Sequence, residues 1–278
     1  MRAFRRGQFL TARYGCAMHH ETPIIGRMRV PMPALNLILL VLGLMFLAEV
    51  VLDRTVNAWQ SGGSFAGEDI GGLTLFALGA DSPILLSEGA VWRAMTAVFL
   101  HAGLLHFLMN CFALWQLGRA VQVIFGGTLL LTSFLFTGLV ASLVSDGWFA
   151  LQDEVGFSVG ASGAVCGLMG LLIGHFRRRT DIVAQALRRQ LITWAIVNLV
   201  LGLVIPNVNN AAHLGGFVAG YCLDEVLEGR RNDIKAKHIR FASLVLSLAA
   251  IAALAWGAGF AVERSHEVRA ELQEGEGR

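Results

Sequence analysis

The sequence predicts an all-α, polytopic membrane protein, and three observations support this fold class. Of the 278 residues, 55% are hydrophobic and 15% are charged, and the mean hydropathy is +0.61. Soluble domains contain about 25% charged residues. Long apolar runs recur along the chain, close to the roughly 17–25 residues that a membrane-spanning helix requires. Seven candidate spans lie at about 35–52, 99–118, 125–144, 161–176, 190–206, 211–227 and 241–262.

The distribution of Lys and Arg predicts the orientation in the membrane, because cytoplasmic loops retain positive charge. With a cytoplasmic N-terminus, the inner segments carry 17 of the 22 Lys and Arg residues and the outer segments carry 5. Because the basic residues follow the topology and do not form one patch, a nucleic-acid partner is not expected. The predicted organisation is a basic arm at 1–34, a six-helix core at 35–227, a cytoplasmic loop at 228–240, a seventh helix at 241–262 and a charged extracytoplasmic tail at 263–278.

The second span contains two polar side chains on one helical face, in the stretch HAGLLHFLMN. His106 and Asn110 are four residues apart, so their side chains point in nearly the same direction. His101 precedes His106 by five residues, about 140° around a helix. We therefore expect His101 to point away from His106 and to have a different role.

The fourth span begins near Ser162, within the sequence GASG, and is unusually short. A short span requires residues 156–161 to enter the membrane as irregular backbone, which is tolerated only where it lines a protein cavity. Taken alone, a stripe of small residues is more typical of close helix packing than of catalysis. That stripe consists of Gly163, Gly167, Gly170 and Gly174.

The sixth span reads AAHLGGFVAGY and places His213, Gly216 and Gly220 on one face. A lone histidine there is more often a packed histidine that bonds a backbone carbonyl than a catalytic group. However, helical rise places Ser162, His213 and His106 about 22, 25 and 20 Å from the arginine at the inner end of their spans. A packing face does not predict that three polar groups share one depth.

These residue types at one depth indicate acyl-transfer chemistry. Ser162 requires only a positioned base to act as a nucleophile, and His213 is the candidate base. A helix N-terminus favours an oxyanion, and the side chains of His106 and Asn110 are candidate hydrogen-bond donors to it. No carboxylate lies near these residues in sequence. The sequence therefore favours a Ser–His dyad over a triad.

Together these motifs resemble those of the rhomboid intramembrane serine proteases. The sequences WR, HAGLLHFLMN, GASG and AHLGGFVAG occur in this order over about residues 85–225. The resemblance implies a six-helix bundle with a water-filled cavity, followed by a seventh C-terminal helix as in the secretase type. It implies an intramembrane serine endopeptidase in the lipid bilayer, with transmembrane-helix proteins as substrates and no cofactor or metal. We expect a bacterial inner (plasma) membrane location, with the active site opening to the extracytoplasmic side.

The resemblance also assigns roles to individual residues. Ser162 matches the nucleophile and His213 the general base, and His106 and Asn110 match the oxyanion donors. Many relatives carry an aromatic residue four positions after the serine, stacked under the catalytic histidine, whereas this chain has Cys166. Phe217 is a candidate to compensate. The residues that match structural positions near the site are His101, Trp92, Arg93, Gly160, Gly163, Gly216 and Gly220.

Three alternatives compete with this reading. The first is a catalytically silent rhomboid-like protein that binds or escorts membrane proteins; such proteins lose the serine or the histidine, and this chain has both. The second is a zinc site formed by His101, His106 and His213. The third is a transporter or channel, which normally requires charged groups near the midplane of its spans. The sequence leaves the oligomeric state open.

Overall fold

A computed structural model of the chain describes residues 31–57, 70–152, 156–205, 208–228 and 234–276. These residues are mostly helical; they contain no strand, only an isolated bridge between Asp81 and Ser158. The predicted basic arm at 1–34 lies largely outside them. The described helices are α1 (Pro33–Asn57), α2 (Gly72–Leu78), α3 (Pro83–Ser87), α4 (Arg93–Thr96), α5 (Leu104–Phe125), α6 (Gly127–Leu151), α7 (Ser162–Arg177), α8 (Ile182–Val204), α9 (Asn210–Glu228) and α10 (Ile234–Glu276).

The helices form an all-α, polytopic membrane fold, which confirms the predicted class. Among the described residues, α1, α5, α6, α8 and the Lys237–Phe260 part of α10 are long and apolar enough to cross a membrane. The other two predicted spans correspond to α7 and α9. They are shorter or more polar, since α7 has 16 residues and α9 ends in acidic side chains. The chain from Gly163 to Gly174 is buried, because α7 contacts α5, α6, α8 and α9.

Glycines allow α7 to pack closely against two neighbours. A Cβ at Gly216 of α9 would overlap the carbonyl oxygen of Gly163, and a Cβ at Gly220 would overlap that of Gly167. A Cβ on Gly163 itself would collide with Ala141 of α6. The glycine face of α7 therefore lies along the seam between α6 and α9, where missing side chains allow backbones to approach.

Several helix ends differ from the predicted spans. The second span was predicted to begin at residue 99, but α5 begins at Leu104 after a 3-10 turn at Ala97–Phe99. The seventh helix was predicted as 241–262, whereas α10 runs from Ile234 to Glu276. Residues 263–276 are rich in Glu and also contain Arg, Leu and Gln, which are good helix formers, so the helix continues where the apolar run ends.

The connection between α1 and α5 carries the short helices α2, α3 and α4. The side chain of Arg93, at the start of α4, is 2% exposed, and its Nη1 donates to the carbonyl oxygens of Phe76 and Ala80 at 2.7 and 3.0 Å. The backbone of Asp81 exchanges two hydrogen bonds with Ser158, at 3.1 and 2.9 Å. This connection is therefore joined directly to the segment that leads into α7.

Candidate active site

Ser162 and His213 meet at the N-terminal ends of α7 and α9. The hydroxyl oxygen of Ser162 lies 2.8 Å from Nε2 of His213. This distance falls within the roughly 2.6–3.2 Å that a nucleophile and its base require. His213 is buried and Ser162 is half-buried, so the pair lies within the protein and not on its surface. The structure thus brings the two predicted residues together, and their catalytic roles remain predictions.

A glycine with a positive φ angle lies two residues before Ser162. Gly160 has φ +122°, a conformation that side-chain-bearing residues rarely adopt, and its N–H donates to the carbonyl oxygen of Ala97 at 2.9 Å. A Cβ at Gly160 would lie 2.8 Å from Nε2 of His106. Glycine is therefore needed both for the turn and for the close approach of the histidine. Ala161, the residue before α7, makes no side-chain capping bond to the first amides of this helix.

His106 and Asn110 both lie beside Gly160, as their shared helical face predicts. The N–H of Ala102 donates to Nδ1 of His106 at 3.4 Å, so the neutral imidazole carries its proton on Nε2, the nitrogen nearest Gly160. Nδ2 of Asn110 donates to the carbonyl oxygen of His106 at 2.9 Å, which fixes the amide. Two side-chain N–H donors thus face the segment that enters α7.

His213 has no third residue to orient it among the residues that the structure describes. Its Nδ1 is buried and has no hydrogen-bond partner there. In a triad a carboxylate accepts from this nitrogen. The geometry is therefore that of a dyad.

The geometry corrects the expectation for His101. This residue precedes α5, so the helical-wheel argument does not apply to it, and its ring lies 5.2 Å from that of His106 in an edge-to-face contact. The backbone N–H of His101 donates to Oε1 of Glu49, a fully buried residue of α1, at 3.1 Å. Glu49 was missed in the sequence, although a carboxylate within an apolar run is the usual signal of an internal partner. The backbone of His101, and not its ring, therefore links α1 to the segment before α5.

Asn209 was also missed, and it connects three parts of the site. Its Oδ1 accepts from the N–H of Ala212 at 3.0 Å, which caps the helix that carries His213. Its Nδ2 donates to the hydroxyls of Ser145 in α6 and Ser158, the latter at 3.4 Å. An Asn immediately before an apolar helix is a capping signal, but the sequence does not show that its other end reaches the segment before Ser162.

Comparison with known proteins identifies the family. Residues 88–230 match the rhomboid domain, and this range includes α7 and α9, the helices that carry Ser162 and His213. The chain belongs to the rhomboid family. It is similar to the rhomboid protease GluP of Bacillus subtilis (strain 168), with 31% identity over 63% of this chain and 34% of that protein. It is also similar to RHOMBOID-like protein 1 of Arabidopsis thaliana, with 36% identity over 54% of this chain and 38% of that protein. The mitochondrial RHOMBOID-like protein 6 of the same plant is 36% identical over 55% of this chain and 50% of that protein.

This rhomboid therefore spans about a third to a half of the length of the curated relatives it matches. The match and the apolar helices together make the chain an integral membrane protein.

Cys166 leaves space beneath the histidine. It is buried one turn after Ser162, and its thiol lies 3.7 Å from Oδ1 of Asn198 in α8. A largely apolar cavity of about 220 Å³ opens between α7, α8 and α9, lined by Cys166, Asn198, His213 and Phe217 among others. Phe217 and His213, which both belong to α9, thus line the same cavity.

A metal site finds no support in the described part of the chain. Within it, no group of three or more His, Cys, Asp or Glu side chains is arranged to bind a metal ion. This finding includes His101, His106 and His213, the three histidines of the zinc alternative.

Proposed function

We propose that this rhomboid is an intramembrane serine endopeptidase that hydrolyses a peptide bond in or near the transmembrane helix of membrane-protein substrates. The observation that carries the proposal is the 2.8 Å contact between Ser162 Oγ and His213 Nε2 at the N-terminus of a buried helix. The similarity to a relative named as a rhomboid protease supports the same reaction.

In the proposed mechanism His213 acts first as a base and then as an acid. Its Nε2 accepts the hydroxyl proton of Ser162 while Oγ attacks the scissile carbonyl carbon. The tetrahedral intermediate collapses when His213 returns that proton to the leaving amine, which gives an acyl-enzyme and a free amine product. A water molecule then attacks the ester, His213 takes its proton, and the serine leaves as the alcohol when the proton is returned.

The oxyanion of each intermediate is stabilised by three donors in this proposal. They are the backbone N–H of Ser162, Nε2–H of His106 and Nδ2–H of Asn110. Loss of one oxyanion donor lowers kcat by about 10²–10³-fold in enzymes of this chemistry. The α7 N-terminus adds a favourable dipole.

We further propose that the N-terminus is cytoplasmic and that the site opens to the extracytoplasmic side of a bacterial inner membrane. The 17 of 22 Lys and Arg residues on one side support this orientation. In it the catalytic core is 35–227, followed by a cytoplasmic segment at 228–240 that includes the start of α10, the span at 241–262 within α10 and a charged extracytoplasmic segment at 263–278. The bilayer surrounds the core, and the substrates are themselves membrane helices.

The test uses the full chain in proteoliposomes with a single-span substrate of the same orientation. Wild type should cleave the substrate and react with a fluorophosphonate, whereas S162A and H213A should do neither. S133A is the matched control, because Ser133 is a buried serine of α6 that bonds only the carbonyl oxygens of its own helix. A chelator should have no effect.

Two results would contradict the proposal. Cleavage by S162A at the wild-type rate would exclude Ser162 as the nucleophile. A folded wild-type protein that neither cleaves nor reacts would identify the catalytically silent alternative, a rhomboid-like protein that binds membrane proteins.

A further inference from the structure

The C-terminal helix α10 lies outside residues 88–230, the part of the chain that matches the rhomboid domain. It nevertheless contacts α2 and α4 in the connection that leads to the site. We propose that Phe260 of α10 is a positioning residue for the active site, acting through the guanidinium of Arg93. The part of this inference that concerns catalysis rests on the proposed function.

Three aromatic rings enclose the Arg93 guanidinium. Its central carbon lies 4.7 Å from the ring centroids of both Phe76 and Trp92, and 5.4 Å from that of Phe260. The ring of Phe260 also contacts the other two, at 6.1 Å from Trp92 and 6.5 Å from Phe76. A buried cation that faces rings within about 6 Å is stabilised by their electron-rich faces. Phe260 supplies the third side of this enclosure from a different helix.

The position of α10 is fixed by close backbone contact. A Cβ at Gly257 would lie 3.0 Å from the carbonyl oxygen of Leu78 and 3.1 Å from the ring of Trp92. This glycine is one turn before Phe260, so the helix approaches the end of α2 closely enough for the Phe260 ring to reach Arg93.

Hydrogen bonds connect Arg93 to the segment before Ser162. The guanidinium donates to the carbonyl oxygen of Ala80, and the next residue, Asp81, exchanges two backbone hydrogen bonds with Ser158. Ser158 lies two residues before Gly160, whose positive-φ turn places His106 beside the entrance to α7. If Arg93 shifts, the carbonyl of Ala80 and the bridge shift with it, and so does the backbone that presents the oxyanion donors.

The decisive variant is F260L, which retains an apolar side chain but removes the ring. The inference predicts a fall in kcat of roughly tenfold, equal to about 1.4 kcal/mol, with little change in KM. The separate variant F260W retains a ring, and its kcat should be near the wild-type value. If Phe260 only fills space, F260L will match wild type, and the inference is wrong.

W256L is the matched control. Trp256 lies one turn before Phe260 on the same helix, and its side chain is 66% exposed. Loss of this ring should leave kcat unchanged. A W256L protein as impaired as F260L would show that any aromatic loss from α10 disturbs the protein, and it would overturn the specific role of Phe260.

A second measurement is independent of catalysis. Amide hydrogen exchange is followed at Asp81, Ser158 and Gly160 in the S162A background, with and without F260L. All three amides donate hydrogen bonds that join the α1–α5 connection to the segment before α7. F260L should therefore accelerate their exchange while amides within α6 stay protected. Unchanged exchange would overturn the inference even in an active protein, and accelerated exchange would support it even if the wild type proved catalytically silent.

Discussion

Gly216 links the packing of α9 against α7 to the distance between Ser162 and His213. A Cβ there would overlap the carbonyl oxygen of Gly163, and an ordinary contact between these atoms is at least 3.4 Å. A Cβ at Gly216 would lie 2.0 Å from that oxygen, so G216A must move α9 away from α7 by about 1.4 Å, because both backbones are closely packed and neither can yield by a rotamer change. His213 is one turn from Gly216 and Gly163 follows Ser162, so the 2.8 Å contact of the pair lengthens by a similar amount.

A displacement of about 1 Å at reacting atoms can lower a rate by about 10²-fold. We expect G216A to react with a fluorophosphonate about 10²-fold more slowly than wild type, and to lose about 1–3 kcal/mol of unfolding free energy through overpacking. Labelling is measured by gel fluorescence against time, and unfolding is measured in the same detergent. The control is G43A, because nothing lies within 4 Å of a Cβ at Gly43 of α1. Labelling of G216A at the wild-type rate would refute the argument.

Three further predictions concern the cap, the cytoplasmic end and the substrate. N209A should lower the labelling rate of Ser162 by roughly tenfold, because α9 loses its cap and its link to Ser158; wild-type labelling would contradict this. R178A should lower the thermal midpoint of unfolding, since the buried carboxylate of Asp224 loses its ion pair, while labelling at low temperature stays unchanged. A substrate whose Gly and Pro residues near the outer end of its helix are changed to Leu should be cleaved at least about tenfold more slowly, because an intact helix hides the scissile carbonyl in a hydrogen bond. Equal cleavage rates of the two substrates in proteoliposomes would show that unwinding does not limit the reaction.

The parts of the fold that were predictable from sequence are those that the bilayer dictates. Apolar runs of spanning length gave the helices, and polar residues at a common depth indicated Ser162, His213, His106 and Asn110. The helices of Ser162 and His213 begin within one residue of the predicted spans, and His106 and Asn110 lie inside α5 although that helix begins later than predicted, so spacing along a helix translated directly into position. In this setting a polar side chain is costly, and its presence is informative.

The parts that were not predictable depend on non-helical backbone or on contacts between distant segments. His101 was placed on a helical wheel, but the chain around it is not helical, and its ring therefore approaches His106. The roles of Glu49, Asn209 and Phe260 depend on partners 52, 51 and 167 residues away, respectively. The helical periodicity of the sequence does not indicate contacts between residues so far apart in the chain.

The short central helix explains why the active site and the surrounding hydrogen-bond network form one structure. With 16 residues, α7 is about 24 Å long, less than the roughly 30 Å of a bilayer core. In the proposed orientation the N-terminus of α7 lies below the membrane surface, and the irregular backbone at 156–161 lies at the same depth, where unpaired amides are costly. Protein groups satisfy that backbone: Asp81 pairs with Ser158, and Ala97 accepts from the N–H of Gly160. The contacts that satisfy this backbone thus also fix the segment that places Ser162 near the proposed base, His213, and the proposed oxyanion donors, His106 and Asn110.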